Sequence, residues 1–136
     1  EMMHREFDMD QKEEECLFCQ LNSNLVIAED EFCYARKDGF PVTELHTLII
    51  PKRHIASYFD LHPPEVSAIY RMLAAVKGKI EKQDDLVSGF NVGINVGEDA
   101  GQSIFHVHIH MIPRRKGDVD SSRGGVRGVI PNKRNY

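Results

Sequence analysis

The sequence predicts an α+β fold, in which an antiparallel sheet of about five strands packs against one long helix and a shorter helical element accompanies them. Three observations support this class. In residues 105–112, FHVHIHMI, apolar side chains alternate with histidines, as in a half-buried strand. Apolar residues recur at three- and four-residue spacing after Pro63, as in an amphipathic helix. A short glycine-rich turn joins the last two strand-like segments, which makes them antiparallel.

Three strands are predicted before the helix. The first two cover residues 25–28 and 32–37 and flank an acidic turn at residues 29–31. The third covers residues 46–50, HTLII, and stops at Pro51. The predicted order is therefore three strands, the helix and two further strands.

The helix is predicted to begin at Pro63, since a proline in the first turn loses no hydrogen bond. Glu65 lies early and three lysines lie late, which suits the helix dipole. The predicted apolar stripe consists of Val66, Ile69, Tyr70, Leu73, Val76 and Ile80. The last two strands are predicted at residues 90–96 and 105–112, and Pro113 ends the second of them.

Length and composition are those of an ordinary globular domain. The 136 residues suit one domain, and 41% hydrophobic with 28% charged residues argues against wholesale disorder. No apolar run approaches the ~18–20 residues that span a bilayer, and the acidic N-terminus lacks the apolar core of a secretory signal. The net charge of -4 gives no reason to expect nucleic acid or a membrane as a partner, and we expect a cytoplasmic protein.

Charge differs between the two ends of the chain. Residues 1–15 hold seven acidic and two basic side chains and are predicted to form a flexible arm. Residues 16–118 are the predicted domain, and residues 119–136 are a basic tail. This tail is either a solvated, frayed end or a basic strap that reaches towards phosphates or a second subunit.

Three of the seven histidines, His106, His108 and His110, fall within five residues. In a strand they share one face, and the apolar residues between them face the helix. Packing alone is a weak explanation, because each buried ring would need its own hydrogen-bond partner. The row could chelate a metal, or one imidazole could be a nucleophile whose other nitrogen bonds a carbonyl. The spacing does not choose between these uses.

The flanking segments carry groups that bind phosphate. Upstream, Gln102 offers a carboxamide, Ser103 a hydroxyl and the surrounding turn accessible N–H groups. Downstream, Arg114 and Arg115 provide cationic forks. Phosphate ligands on both sides of a histidine row favour phosphoryl or nucleotidyl chemistry over a bare metal site.

Residues 101–118, GQSIFHVHIHMIPRRKGD, resemble the signature of the histidine triad (HIT) superfamily, His-φ-His-φ-His-φ-φ with φ apolar. The run HTLIIPKRH at residues 46–54 matches as well, so the resemblance covers residues 16–118 and implies a HIT-like fold. The PRRKGD sequel at residues 113–118 is more similar to the dinucleoside polyphosphate hydrolase branch, of the fragile-histidine-triad type, than to the phosphoramidase branch. One departure is Leu45, where the family often has glycine.

The resemblance implies roles for the site residues. His108 would attack the α-phosphorus of a nucleotide and form a nucleotidyl-imidazole intermediate, which water or phosphate then resolves. His110 would contact the phosphate oxygens and orient the nucleophile, and His106 completes the catalytic triad. The implied substrate-binding residues are Asp38 for the ribose hydroxyls, Asn95 near the ribose and phosphate, and Gln102 and Ser103 on the phosphate and leaving-group side.

Two further residues are candidates for substrate binding. His46, at the start of a strand, would either line the phosphate pocket or bond to the backbone. Ile27, with Phe18 and Leu25, would either form the floor of a base pocket or belong to the core. Magnesium could accompany a polyphosphate substrate, although this chemistry demands no divalent metal on the protein.

The three cysteines, Cys16, Cys19 and Cys33, suit reduced thiols or metal ligands better than a disulfide framework. The C-x-x-C pair is a weak signal alone: it could be two structural thiols, and a redox pair is disfavoured because no thioredoxin-like pattern surrounds it. In the zinc-bearing members that the chain resembles, the other ligands correspond to His54 and His106. The resemblance thus implies a structural Cys₂His₂ zinc site, while Cys33 is expected to be buried.

The sequence therefore favours a nucleotide hydrolase that cleaves at the α-phosphate of a dinucleoside polyphosphate such as diadenosine tetraphosphate. A purine nucleoside phosphoramidase and a dinucleotide phosphorylase are alternatives within the enzymes. A non-catalytic nucleotide-binding module, or a metallohydrolase with three histidine ligands, belongs to another class. The resemblance also implies a homodimer with one continuous sheet.

Overall fold

The computed structural model describes Glu13 and residues 15–135, so most of the predicted arm (residues 1–15) lies outside the described residues. Within them, five strands form one antiparallel sheet, and one long helix covers a face of it. The elements are β1 (Val26–Glu29), β2 (Cys33–Lys37), β3 (Thr47–Pro51), α1 (Pro63–Gln83), β4 (Val87–Ile94) and β5 (Ile109–Arg115). The predicted α+β class is confirmed. No helix in this part of the chain is long and apolar enough to cross a membrane.

The strand order across the sheet is β1-β2-β3-β5-β4, so β3 and β5 are neighbours although α1 and β4 separate them in the chain. Leu48 of β3 pairs with His110 of β5, which brings His46, just before β3, close to the triad. β4 covers Val87–Ile94 instead of the predicted residues 90–96 and forms one edge of the sheet.

The triad strand differs from the prediction at both ends. β5 begins at Ile109, because the preceding segment bonds outside the sheet: the Val107 N–H donates to the carbonyl of Ile55 (2.8 Å). Pro113 does not end the strand, which continues to Arg115. The predicted alternation of side chains between the two faces nevertheless continues along β5, where buried and partly buried residues alternate up to Arg114.

The two faces of the sheet bury different clusters. The main core lies under α1 and includes the apolar residues between the histidines. Its members on the sheet side are Cys33, Ala35, Ile49, Val107, Ile109 and Met111. Cys33 is completely buried, as predicted. The opposite face, called the histidine face below, carries a smaller cluster of Phe18, Tyr34, Leu48 and Ile50. The triad imidazoles lie on this second face.

The buried face of α1 is rotated by about one residue from the predicted stripe. Tyr70 is 72% exposed and Val66 39% exposed. The residues that are buried instead are Glu65, Ala68, Ile69, Met72, Val76 and Ile80. Glu65 fixes this orientation, because its fully buried carboxylate accepts two hydrogen bonds from the Arg53 guanidinium (2.8 and 2.9 Å) and one from the His62 N–H (2.8 Å).

Replacing Glu65 by glutamine should lower the free energy of unfolding by about 3–5 kcal/mol, because the buried Arg53 charge loses its counter-charge. Burial alone would raise the pKa of Glu65, but the hydrogen bonds from Arg53 and His62 hold it below the ordinary 4.5. The carboxylate therefore stabilises the fold fully above pH 4.5 and loses this effect as the pH falls through the folded-state pKa. Urea unfolding over a pH series measures it.

The matched control is Glu81→Gln, an exposed glutamate on the same helix that pairs with Lys77. It should change the free energy of unfolding by less than about 1 kcal/mol. A difference between wild type and Glu65→Gln that stays constant down to acid unfolding would contradict the ionised pair.

Candidate active site

His108 lies on the histidine face, one residue before β5 begins. Its Nδ1 is 2.8 Å from the carbonyl oxygen of His106, so Nδ1–H donates and the lone pair remains on Nε2. The rings of Phe18 and His110 contact it edge-on, with centroids 4.9 and 5.4 Å away. A half-buried imidazole with a fixed tautomer and a free Nε2 lone pair is suited to act as a nucleophile.

A chain of hydrogen bonds fixes the tautomer of His110. The backbone N–H of Val42 donates to Nδ1 of His46 (3.1 Å), so the proton of His46 is on Nε2. That Nε2–H faces Nδ1 of His110 (3.0 Å) and a carboxylate oxygen of Asp38 (3.3 Å). His110 accepts at Nδ1 and therefore carries its proton on Nε2. An N–H donor on this ring, whose centroid is 5.4 Å from that of His108, is suited to hold a phosphate oxygen during attack.

Both members of this pair are neutral near pH 7. Burial lowers the pKa of His46, and the Asp38 carboxylate opposes this only in part. Burial and the neighbouring His108 and His46 lower the pKa of His110, which Asp38 again opposes. The hydrogen-bond chain requires the neutral state, because a second proton on either ring would set two N–H donors against each other.

Replacing His46 by alanine should lower kcat by about 10- to 100-fold with little change in KM, because His110 loses the donor that fixes its tautomer. On the acid side, the variant should lose activity at a higher pH than wild type, since one cause of the lowered pKa of His110 is removed. The pH profile of kcat measures this, with His62→Ala as a histidine control at the start of α1. An unchanged acid limb would give His46 a purely structural role.

The turn before β3 positions Val42 and His46 for the hydrogen-bond chain described above. Leu45 has a φ of 74°, the only positive φ of a non-glycine among the described residues. This left-handed conformation favours glycine, which accounts for the glycine often found at this position in the family that the sequence resembles. The His46 N–H donates to the carbonyl of Thr43 (3.2 Å) and closes the turn, so the Val42 N–H meets the ring of His46.

Gln102 has a different role from the predicted one. It is buried, its Oε1 accepts from the Gly97 N–H (2.9 Å), and its Nε2 donates to the carbonyls of Ala56 (2.8 Å) and Ile104 (3.2 Å). The carboxamide therefore has no N–H left for a phosphate and holds the loop between β4 and β5 instead. Ser103, the next residue, is exposed.

Ile27 does not lie on the histidine face but packs against the main core, which is the second of the two alternatives that the sequence left open. Alternation along β1 sends Ile27 into the main core, while Val26 packs with Phe18 and Leu48 on the histidine face. Arg36, which the sequence did not single out, lies under Phe18 with its guanidinium carbon 5.3 Å from the ring centroid. Its buried Nη1 has no hydrogen-bond partner among the described residues.

The four side chains predicted as metal ligands converge beside the triad. Their ligand atoms all lie within 4.8 Å of one another: Cys16, Cys19, His54 and His106. Sγ of Cys19 is 3.2 Å from Nδ1 of His54, and Sγ of Cys16 is 3.4 Å from Nδ1 of His106. Two thiols and two imidazoles are the donor set of a closed, tetrahedral zinc site.

The outer nitrogen of each imidazole in this cluster has its own partner. Nε2–H of His106 donates to the carbonyl of Pro51 (2.7 Å), and Nε2 of His54 lies 3.6 Å from the carboxylate of Glu13. Both Nδ1 lone pairs therefore face the thiols, as a metal requires. Burial lowers the pKa of His106 to about 4, so the ring is neutral near pH 7.

The triad is thus divided between two tasks. The side chain of His106 faces the cysteines, and only its carbonyl serves His108. His110 is bound to His46. Because the three imidazoles point to different partners, the arrangement does not suit the alternative in which all three bind one metal.

The fold and the divided histidine row define a histidine-triad protein, in the class of nucleotide-binding proteins and hydrolases. Residues 20–117 match the model of the HIT domain family. The chain therefore belongs to the HIT family, and the predicted membership is confirmed.

Two similar proteins are named as hydrolases. Adenylylsulfatase HINT3 of Arabidopsis thaliana is 36% identical over 108 residues, which are 76% of this chain and 54% of the relative. The asymmetrical bis(5'-nucleosyl)-tetraphosphatase of Schizosaccharomyces pombe is 41% identical over 82 residues, 60% of this chain and 44% of the relative. A solved structure of a Zn-bound histidine triad family protein from Mycobacterium smegmatis is 36% identical, with a TM-score of 0.64, and the match covers 79% of this chain and 80% of that one.

Proposed function

We propose that the protein is a nucleotide hydrolase that cleaves at the α-phosphate of a dinucleoside polyphosphate, such as diadenosine tetraphosphate, through a nucleotidyl-histidine intermediate. The hydrogen bond from His108 Nδ1–H to the His106 carbonyl carries this proposal, because it leaves Nε2 free to attack. Two similar proteins are named as an adenylylsulfatase and a bis(5'-nucleosyl)-tetraphosphatase, which supports hydrolysis next to a nucleoside phosphate.

In the first step, Nε2 of His108 attacks the α-phosphorus, and the bond from phosphorus to the bridging oxygen breaks. The leaving group departs as a nucleoside polyphosphate anion, and an N–P bond joins the nucleotide to His108. Nε2–H of His110 donates to a non-bridging oxygen, where negative charge develops. The His106 carbonyl, still bonded to Nδ1–H, stabilises the positive charge that the substituted ring acquires.

In the second step, water attacks the same phosphorus and the N–P bond breaks. The nucleoside monophosphate leaves, the proton of the water passes to solvent, and the lone pair returns to Nε2 of His108. Division into two displacements lowers each barrier. Asp38 is proposed to bind the ribose hydroxyls, Asn95 the ribose and phosphate, and Ser103 the leaving-group side.

We further propose that the Cys₂His₂ cluster holds a structural zinc ion, which the closed donor set and the Zn-bound relative support. When bound, zinc would tie the segment around Cys16 and Cys19 to the strand-flanking His54 and His106.

Magnesium would enter only with a polyphosphate substrate. The homodimer and the cytoplasmic location stay predictions.

A chromatographic product assay tests the proposed function. Wild type is given diadenosine tri- and tetraphosphate, adenylyl sulfate and an adenosine phosphoramidate, each with and without inorganic phosphate. Release of AMP from the dinucleotides at the highest kcat/KM is the expected result. The phosphoramidate as the fastest substrate would favour the phosphoramidase, and ADP formed only with phosphate would favour the phosphorylase. No turnover of any adenine nucleotide would overturn the hydrolase and favour a binding module.

A further inference from the structure

The basic tail lies against the histidine face of the sheet. Two short 3-10 helices, Gly125–Val129 and Pro131–Lys133, form about half of the described part of the tail. The tail, β4, β5 and the turn before β3 line an open cavity of about 820 Å³. His110 is in the wall of this cavity, together with Asn95. The cavity therefore opens directly beside the proposed reaction centre.

A glycine leaves the passage between His110 and this cavity open. Gly93 of β4 pairs with His110 of β5, so the two residues face the same side of the sheet. A Cβ atom at Gly93 would have no contact within 4 Å outside its chain neighbours, so there is open space at this position of β4. A glycine inside a strand often marks the close approach of a ligand. Gly93 therefore places no side chain between His110 and the tail.

Among the described residues that line the cavity, one cation is uncompensated. The Arg114 guanidinium is already paired with the Asp118 carboxylate (2.8 and 2.9 Å) and with Asn91 Oδ1 (2.6 Å). Arg134, on the tail, also lines the cavity and is half-buried. Within the described residues its guanidinium has neither a carboxylate nor another hydrogen-bond acceptor as a partner. A half-buried, unpaired guanidinium beside a phosphate-transfer site is suited to bind an anion.

The tail also holds Arg134 in place and supplies apolar contacts. The Arg127 guanidinium donates to the carbonyls of Lys133 (2.9 Å) and Arg134 (3.4 Å), which fixes the backbone that carries Arg134. Val126 and Val129 line the cavity opposite β4 and β5. About 300–1,000 Å³ is the usual size of a site for a small organic ligand, so the space suits a nucleoside phosphate and exceeds what ammonia or sulfate needs.

We propose that this cavity is the leaving-group subsite, in which Arg134 binds the distal phosphates and the tail valines contact the attached nucleoside. This inference rests on the proposed function and deepens it, because it assigns Arg134 and the tail valines to the large, anionic leaving group of the substrate. The tail of the same chain thus forms one wall of the site and selects the substrate class.

The test compares two substrates that share the adenylyl group and differ in the leaving group: diadenosine tetraphosphate, which releases ATP, and adenosine phosphoramidate, which releases ammonia. Arg134→Gln should lower the ratio of their kcat/KM values by about 10- to 100-fold, the usual effect of losing a charge-assisted hydrogen bond. Arg134→Lys should recover part of the ratio, because the charge remains without the fork. Lys133→Gln, an exposed neighbour, is the matched control and should leave the ratio unchanged.

An unchanged ratio in Arg134→Gln, or an equal change in Lys133→Gln, would overturn the subsite. A binding experiment keeps the result separate from the proposed function. Calorimetric titration with ATP in the presence of saturating AMP reports on the leaving-group side without turnover. Weaker ATP binding by about 10- to 100-fold in Arg134→Gln alone would support the subsite even if wild type hydrolysed neither substrate, and equal ATP affinity in all variants would overturn it.

Discussion

Replacing His108 by alanine should lower kcat by about 10⁴-fold or more, because the variant has no group that can form the N–P bond. KM should change little, since His108 touches only the reacting phosphorus and the ribose and leaving-group contacts remain. Steady-state kinetics on the fastest substrate of wild type measures both constants.

The matched control is His62→Ala, which removes a histidine at the start of α1 and should keep kcat within about threefold of wild type. Thermal unfolding of both variants confirms that the fold is retained. A His108→Ala protein with kcat within tenfold of wild type would remove His108 from the chemistry and favour direct attack by water.

Removal of a metal ligand should destabilise the protein about as much as removal of the buried Glu65 carboxylate. Cys19→Ala should lower the free energy of unfolding by about 3–5 kcal/mol, because metal-binding free energy becomes folding free energy in a closed Cys₂His₂ site. A strong chelator should lower the melting temperature of wild type in the same direction and should not act further on the variant. Elemental analysis is expected to give one zinc per chain in wild type.

Cys33→Ala is the thiol control, since Cys33 is buried in the main core away from the cluster. It should keep its zinc and its response to the chelator. A chelator that abolished turnover at once and left the melting temperature unchanged would contradict the structural role and support a catalytic metal. A protein without metal and without any chelator effect would contradict the site.

The sequence predicted the parts of the fold that depend on local pattern. Alternation placed the triad histidines on one face and Val107, Ile109 and Met111 on the other, even though β5 begins later than predicted. The C-x-x-C pair and two distant histidines met as the resemblance implied. The first feature follows from the two-residue repeat of side chains in a strand. The second follows from cysteine and histidine side chains, which serve few other purposes when they occur as such a set.

Features that depend on tertiary contacts were missed. The rotation of α1 follows from the buried Arg53–Glu65 pair, and no helical pattern alone contains that contact. Gln102 fits a phosphate ligand by type, yet loop closure uses all its N–H groups. The hydrogen bond from His46 to His110 depends on the left-handed turn at Leu45. A leucine in the sequence does not predict such a turn.

The stereochemical course at phosphorus tests the covalent mechanism most directly. The substrate is a dinucleoside polyphosphate with one chiral sulfur-substituted α-phosphate, hydrolysed in isotopically labelled water. Each in-line displacement inverts the phosphorus, so attack by His108 followed by water predicts overall retention in the released nucleoside thiophosphate. Overall inversion would contradict the nucleotidyl-histidine intermediate, because it requires a single attack by water.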